Sequence, residues 1–164
     1  MLAPKHQAFL AEMQRRGQPA PDGLTQCFQL LSLAAAIDQD CARRLAPQDL
    51  SEGRFVLLIL LQGAEQALSP HQLAERAGVT RATVTGLLDG LQRDGLLERH
   101  ADADDKRRIN VCLTAAGEAL AVSLFDQHTQ WIRGLFADLS SAERRLLSGL
   151  LCRIWARTDA GRAP

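Results

Sequence analysis

The chain has no tyrosine and only 4% aromatic residues over 164 positions, so its core must be built from leucine, alanine, valine and isoleucine. Neither sign of charge is in excess. Lys+Arg and Asp+Glu number 19 each, which removes the global positive field of a generally basic nucleic-acid binder, so positive charge would have to be sorted onto one face. No run of about 18 uncharged apolar residues occurs, and Phe55 to Leu61 reads as a short buried helical stretch, not a membrane span. Residues 1–20 lack the continuous apolar stretch of a secretory signal, and a cytoplasmic location is expected. Cys27, Cys41, Cys112 and Cys152 have no CxxC spacing, which argues against a zinc ribbon or a disulfide framework and reads as mostly buried free thiols. His6, His71, His100 and His128 are scattered without paired ligand spacing, so no metal and no cofactor is expected. The chain also lacks a Gly-rich phosphate loop, HExxH, GxSxG and paired carboxylates. A thiol peroxidase built on Cys27 is the least poor enzyme reading, and no enzymatic activity is expected.

What is present concentrates between Ser69 and Thr114. Ser69-Pro70 opens a helix as N-cap and first-turn proline, with Gln72 placed to reach back as a capping box. Gly78 closes that helix in a left-handed turn, and Thr80 caps the next one after a single intervening residue, Val79. In the second helix Val84, Leu87, Leu88 and Leu91 recur at helical spacing, so Arg81, Thr83 and Thr85 face outward. After Gly95 the period changes: Leu97 to His100 and Ile109 to Leu113 read as strands joined by the polar loop from Ala101 to Arg108. Thr114 caps a following helix. Basic residues (Arg76, Arg81, Arg93, Arg99, Lys106, Arg107, Arg108) and acidic residues (Glu75, Asp89, Asp94, Glu98, Asp102, Asp104, Asp105) balance across this segment, so modest affinity per subunit is expected.

The layout is that of a winged helix-turn-helix, and the segment resembles the multiple-antibiotic-resistance regulator (MarR) family of bacterial transcription factors. The matching residues are Leu73-Ala74, Gly78, Thr83-Val84-Thr85, Leu87-Leu88, Leu91, Asp94-Gly95-Leu96, Asp105-Lys106-Arg107 and Val111-x-Leu113-Thr114-x-x-Gly117. The resemblance runs from roughly Leu24 to Arg157. It implies a mainly α fold with a small β-hairpin wing and dimerisation helices at both ends, acting on double-stranded DNA as a homodimeric repressor. Arg81 would fork onto guanine in the major groove, Thr83 or Thr85 would touch bases or phosphates, and Ser69 and Thr80 would hold phosphates at helix N-termini. Gly86 either permits close backbone approach to DNA or removes a phosphate contact. In the wing, Arg107 would enter the minor groove beside Lys106, with Asp105 holding the turn. A winged helix that binds protein instead of DNA is the alternative that the neutral charge keeps open.

The organisation expected is an arm at 1–21, a dimerisation helix at 22–50, the winged helix-turn-helix at 51–114 and C-terminal dimerisation helices at 115–164, although the length alone suggests a single domain. The arm, with Phe9, Leu10 and Met13 on one face, is expected to be a loosely attached helix or disordered. Asp22 would cap a long helix to about Leu45, apolar over too wide an arc for one packing partner, and Ser51 caps the next. Leu120, Leu124, Phe125, His128, Trp131, Ile132, Leu135 and Phe136 mark another long helix. Ser140-x-x-Glu143 opens a last one bearing Leu147, Leu151 and Trp155. Apolar excess at both ends points to a second copy of the chain, whose paired readers would lie about one helical turn, ~34 Å, apart on a pseudo-palindrome.

For the effector, the resemblance implies a small aromatic or phenolic acid. Candidate hooks are Arg54, a lone cation expected to snorkel to solvent from an apolar helix, and His128 on an apolar face, which more often is structural. Cys27 occupies the sensor position of the organic-hydroperoxide-sensing branch of the family, but the tyrosine positions of that branch hold Leu31, Cys41 and Glu52 here. Without those hydroxyls an inert core thiol is the favoured reading.

Overall fold

A computed structural model describes residues 2–101 and 109–162. It contains helices α1 (Pro4–Arg15), α2 (Leu24–Leu45), α3 (Glu52–Gln62), α4 (Pro70–Ala77), α5 (Arg81–Arg93), α6 (Ala115–Leu135), α7 (Ser141–Trp155) and α8 (Asp159–Arg162), with strands β1 (Leu97–Ala101) and β2 (Ile109–Leu113) between α5 and α6. The chain divides into two compact units, Met1–Glu118 and Ala119–Pro164, where its length alone suggested one.

In the first unit the caps fall where local chemistry puts them. Ser51 accepts the Arg54 N–H at 3.4 Å. Ser69 accepts the Gln72 N–H at 3.3 Å while its own N–H donates to Gln72 Oε1 at 2.9 Å, the reciprocal bonds of a capping box. Helix α2 differs from expectation, because it starts at Leu24 behind Gly23, which offers no side-chain cap, so Asp22 is not the capping residue. The arm is not loose either. His6 is buried, stacked on Phe28 with centroids 4.5 Å apart, and its Nδ1 lies 2.9 Å from Ser32 Oγ, which also accepts the Ala3 N–H at 3.0 Å. Phe9 adds an edge contact to the same ring at 5.5 Å. A histidine and a serine therefore dock α1 onto α2 together with Phe9 of the apolar stripe.

The core is aliphatic. Leu45, Leu57, Leu58, Leu73, Val84, Leu88, Leu91, Leu97 and Val111 are all less than 2% exposed, which gathers the end of α2, helices α3 to α5 and both strands around one centre. Burial of each such side chain stabilises by roughly 1.5–3 kcal/mol. Strands β1 and β2 pair antiparallel in the register Leu97 to Leu113, Arg99 to Val111 and Ala101 to Ile109. The hairpin gains a third partner that periodicity did not reveal: Val111 N–H donates to the Leu68 carbonyl at 2.9 Å, so the link before α4 forms a bridge to β2.

In the second unit, Ser140 and Glu143 form another capping box, and His128 packs edge-on against Trp131 at 4.8 Å. Among its described residues only Ala121 and Leu124 are buried, and Phe125, Ile132, Leu146, Ile154 and Trp155 are between 43% and 65% exposed.

Candidate nucleic-acid interface

Helices α4 and α5 meet across a turn in which Gly78 adopts φ 66°, a left-handed conformation that a side chain would strain. The Gly78 N–H donates back to the last turn of α4, and Thr80 accepts the Thr83 N–H at 3.2 Å, so both helix ends at the turn are satisfied and its angle is set. Val84, Leu88 and Leu91 are buried beneath α5, which leaves Arg81, Thr83, Thr85, Gly86 and Asp89 on its exposed side. Ser69, Thr80, Arg81, Thr83, Thr85 and Gly86 thus belong to one capped helix pair.

Local bonds hold this surface before any partner arrives. Thr83 Oγ1 lies 2.8 Å from Thr80 Oγ1, and the Thr85 hydroxyl donates to the Arg81 carbonyl at 3.0 Å. The Arg81 guanidinium lies 3.4 Å from His71 Nε2 on α4, and His71 in turn lies 3.6 Å from the Glu75 carboxylate. A Cβ built on Gly86 would meet no atom within 4 Å, so that face of α5 is open to close approach. Asp89 is held by Arg99 of β1 at 2.7 Å, which ties the strand to the helix and leaves Arg99 Nε buried without a partner among the described residues. Asp105, Lys106 and Arg107 lie outside the described residues.

The joint behind the wing is well defined. Thr114 donates its N–H to the Leu96 carbonyl at 3.2 Å and its hydroxyl to the Gly95 carbonyl at 2.8 Å, while its Oγ1 accepts the Gly117 N–H at 3.1 Å. A Cβ on Gly117 would run into the Leu96 carbonyl, which belongs to backbone and cannot swing away. The Leu113-Thr114-x-x-Gly117 pattern is therefore a steric and hydrogen-bonded hinge plate between β2 and α6.

The effector candidates fall differently from expectation. Arg54 does not snorkel: its side chain is 16% exposed, and it donates to the Asp49 carbonyl at 2.9 Å and to the Asp94 carboxylate. Its charge is already engaged across 40 residues of sequence, a separation that no local pattern exposes. His128 is half-buried and belongs to the other unit. No group of three or more metal-ligating side chains occurs among the described residues.

The cysteines also correct the sequence reading. Only Cys41 is buried; Cys27 and Cys152 are exposed and Cys112 is intermediate. Helix α2 is apolar over a wide arc, and Cys27 is exposed on it along with Leu31 and Leu33. Burial, reinforced by the nearby Glu52 and Asp38 carboxylates, pushes the Cys41 thiol above the ordinary range and keeps it protonated.

A two-helix reader with a capped turn, an adjoining hairpin and a third strand contact defines a winged helix-turn-helix. The family profile described as MarR family matches residues 48–108. The transcriptional repressor YetL of Bacillus subtilis is 34% identical over 131 residues, covering 79% of this chain and 78% of that protein. The transcriptional regulator PecS of Dickeya dadantii is 30% identical over 127 residues, covering 76% of each. The structure of Staphylococcus aureus MepR bound to DNA superposes with a TM-score of 0.71 at 24% identity, covering 80% of this chain and 97% of that one. The chain belongs to the MarR family, and it is a DNA-binding transcriptional regulator, not an enzyme. No helix among the described residues is long and apolar enough to cross a membrane.

Proposed function

We propose that the chain is a repressor that grips a pseudo-palindromic operator as a homodimer and lets go when a small aromatic or phenolic acid binds. The observation that carries the reading is the exposed side of α5: one arginine, two threonines and an open Gly86 on a turn satisfied at both helix ends. Small polar groups on a rigid helix fit the floor of a major groove, with Arg81 positioned for a guanine and Thr83 or Thr85 for bases or phosphates. The N-termini of α4 and α5, at Ser69 and Thr80, offer free N–H groups to phosphates, and Lys106 and Arg107 continue the contact into the minor groove, with Asp105 supporting the wing turn. Pairing two readers needs a second copy, and the exposed apolar side chains of α2 and α7 supply faces for it. Cytoplasmic residence accords with access to DNA.

The test uses a duplex selected from a random pool by the full-length protein, with binding followed by fluorescence anisotropy. Arg81→Ala and Arg107→Ala are each expected to weaken binding by roughly 1–3 kcal/mol with the dimer intact on a sizing column. Unchanged affinity for both at moderate salt would remove helix and wing from recognition, and salt-independent binding would favour a protein partner instead.

The exposure of Cys27 supports a second reading, hydroperoxide sensing. The Cys27 thiolate would attack the O–O bond of an organic hydroperoxide, taking one oxygen as a sulfenic acid and releasing the alcohol. Cumene hydroperoxide should then release the duplex from the native protein but not from Cys27→Ser, and identical release from both would close this reading.

A further inference from the structure

We propose that Arg54 is the positioning residue of the reader: it fixes the attitude of α5 relative to the end of α2, and operator spacing, not fold stability, depends on it. The inference rests on the reading that α5 enters the groove.

Two oddities of the sequence turn out to be one object. Helix α3 is apolar from Phe55 to Leu61 with Arg54 just before that run, and α5 carries a glycine in its last turn at Gly90. A Cβ on Gly90 would come within 3.2–3.3 Å of the Arg54 Nη2, Cζ and Nε atoms, so the guanidinium lies close against α5 at this glycine and a side chain there would push it aside by a few tenths of an ångström. From there the fork holds the Asp94 carboxylate at one corner and the Asp49 carbonyl at another. Asp94 is the C-cap of α5, where a carboxylate faces the negative end of the helix dipole, so it makes a poor cap unless a cation stands beside it. Asp49, with φ 50°, is the one non-glycine residue with positive φ among those described, and it closes the turn that joins α2 to α3. A single side chain therefore ties the C-cap of the recognition helix to the turn at the end of α2.

Stability does not account for this arrangement. Arg54 Nε is buried with no hydrogen-bond partner among the described residues, and the Asp94 carboxylate that the fork holds is 44% exposed, so water screens the pair and its net contribution to stability is small. Gly90 removes a helix-favouring side chain as well. What the pair provides is direction: a planar fork bonded at two corners holds the end of α5 at one angle, where aliphatic packing would allow neighbouring ones. In a two-fold dimer that angle, measured from α2, sets the distance between the two readers.

The experiment compares the selected duplex with versions whose half-sites are moved one base pair closer or further apart, using full-length Arg54→Met, Asp94→Asn and Gly90→Ala. Wild type should prefer the parent spacing. Each variant should lose at least ten-fold of that preference while remaining dimeric, and the double variant Arg54→Met/Asp94→Asn should lose no more than either single one, since both break the same tie. Gly90→Ala is the decisive variant: it keeps both charged partners and gains helix propensity, so its urea midpoint should hold or rise while its spacing preference falls. Wild-type spacing preference in Gly90→Ala, or a parallel loss of stability and of binding to every duplex in Arg54→Met, would overturn the proposal while leaving α5 as the reader. Absence of salt-dependent binding in the wild type would instead remove the reading of α5, and this proposal with it.

Discussion

Leu88 in α5 and Leu150 in α7 are the same residue on amphipathic helices of similar length, yet the first is fully buried and the second is 43% exposed. The contrast extends to the units that hold them. In Met1–Glu118 most apolar positions of α3, α4 and α5, with Leu97 of β1 and Val111 of β2, close on each other, whereas in Ala119–Pro164 the described residues bury only Ala121 and Leu124. Periodicity states that a face is to be covered; it does not state by whom. For the reader the cover is supplied from nearby in the same chain, whereas the exposed apolar residues of α7 are those that the proposed second copy would cover. The sharpest break of this contrast is a pair of identical truncations. Leu88→Ala should lower stability by ~2–5 kcal/mol at every protein concentration. Leu150→Ala, which vacates no interior of its own chain, should lose stability only through weaker pairing, so its deficit in urea unfolding should shrink as protein concentration rises. A concentration-independent deficit for Leu150→Ala would show that α7 is covered from within the chain.

Glycines give a second version of the same contrast, with a smaller effect. At Gly117 an added methyl strikes the Leu96 carbonyl, so Gly117→Ala should lower stability by ~1–3 kcal/mol and displace the wing, weakening the selected duplex in the same anisotropy assay. At Gly149 in α7 an added methyl meets nothing within 4 Å, and Gly149→Ala should raise helix stability by ~0.5–1 kcal/mol. A destabilised Gly149→Ala would mean that a second copy of the chain presses against that spot, which thermal unfolding combined with sedimentation would reveal.

What could be read in the sequence was what acts over three or four residues. Ser51, Ser69 with Gln72, Thr80, Thr114, and Ser140 with Glu143 all cap where their spacing places them, because a cap and its target share one helical turn. The strands likewise fall within a residue of expectation, since alternation is local. Contacts that depended on distant partners stayed hidden. Arg54 and Asp94 are 40 residues apart, and His6 and Ser32 are 26 apart. The Leu68 bridge to Val111 has no periodic signature, because a single residue supplies it. Cys27 differs from expectation too: the missing tyrosine hydroxyls suggested an inert core thiol, and the described residues leave it exposed. A lone arginine on an apolar helix and a glycine inside another were the visible traces of the α3–α5 tie, and only their juxtaposition shows that they belong together.

A further version of the contrast lies at the caps, where the two regions use the same device with one chemical difference. Thr80 faces Thr83 at the third helical position, so no carboxylate takes part, and Thr80→Ala should lower stability by about 1 kcal/mol without pH dependence in mild acid. Ser140 faces Glu143, whose carboxylate accepts the Ser140 hydroxyl at 2.6 Å and the Ser140 N–H at 2.7 Å. Those bonds favour the charged form and hold the Glu143 carboxyl below its ordinary value of 4.5. The folded protein therefore binds this proton less readily than the unfolded chain, and the contribution of Glu143 is complete above about pH 4.5 and is lost as pH falls through the lower folded value. The gap in melting temperature between wild type and Glu143→Ala should be constant near neutrality and narrow in acid, while the gap for Thr80→Ala stays level over the same range. A Glu143→Ala gap that does not narrow would mean that the helix-start geometry at Ser140, and not the carboxylate's charge, secures α7.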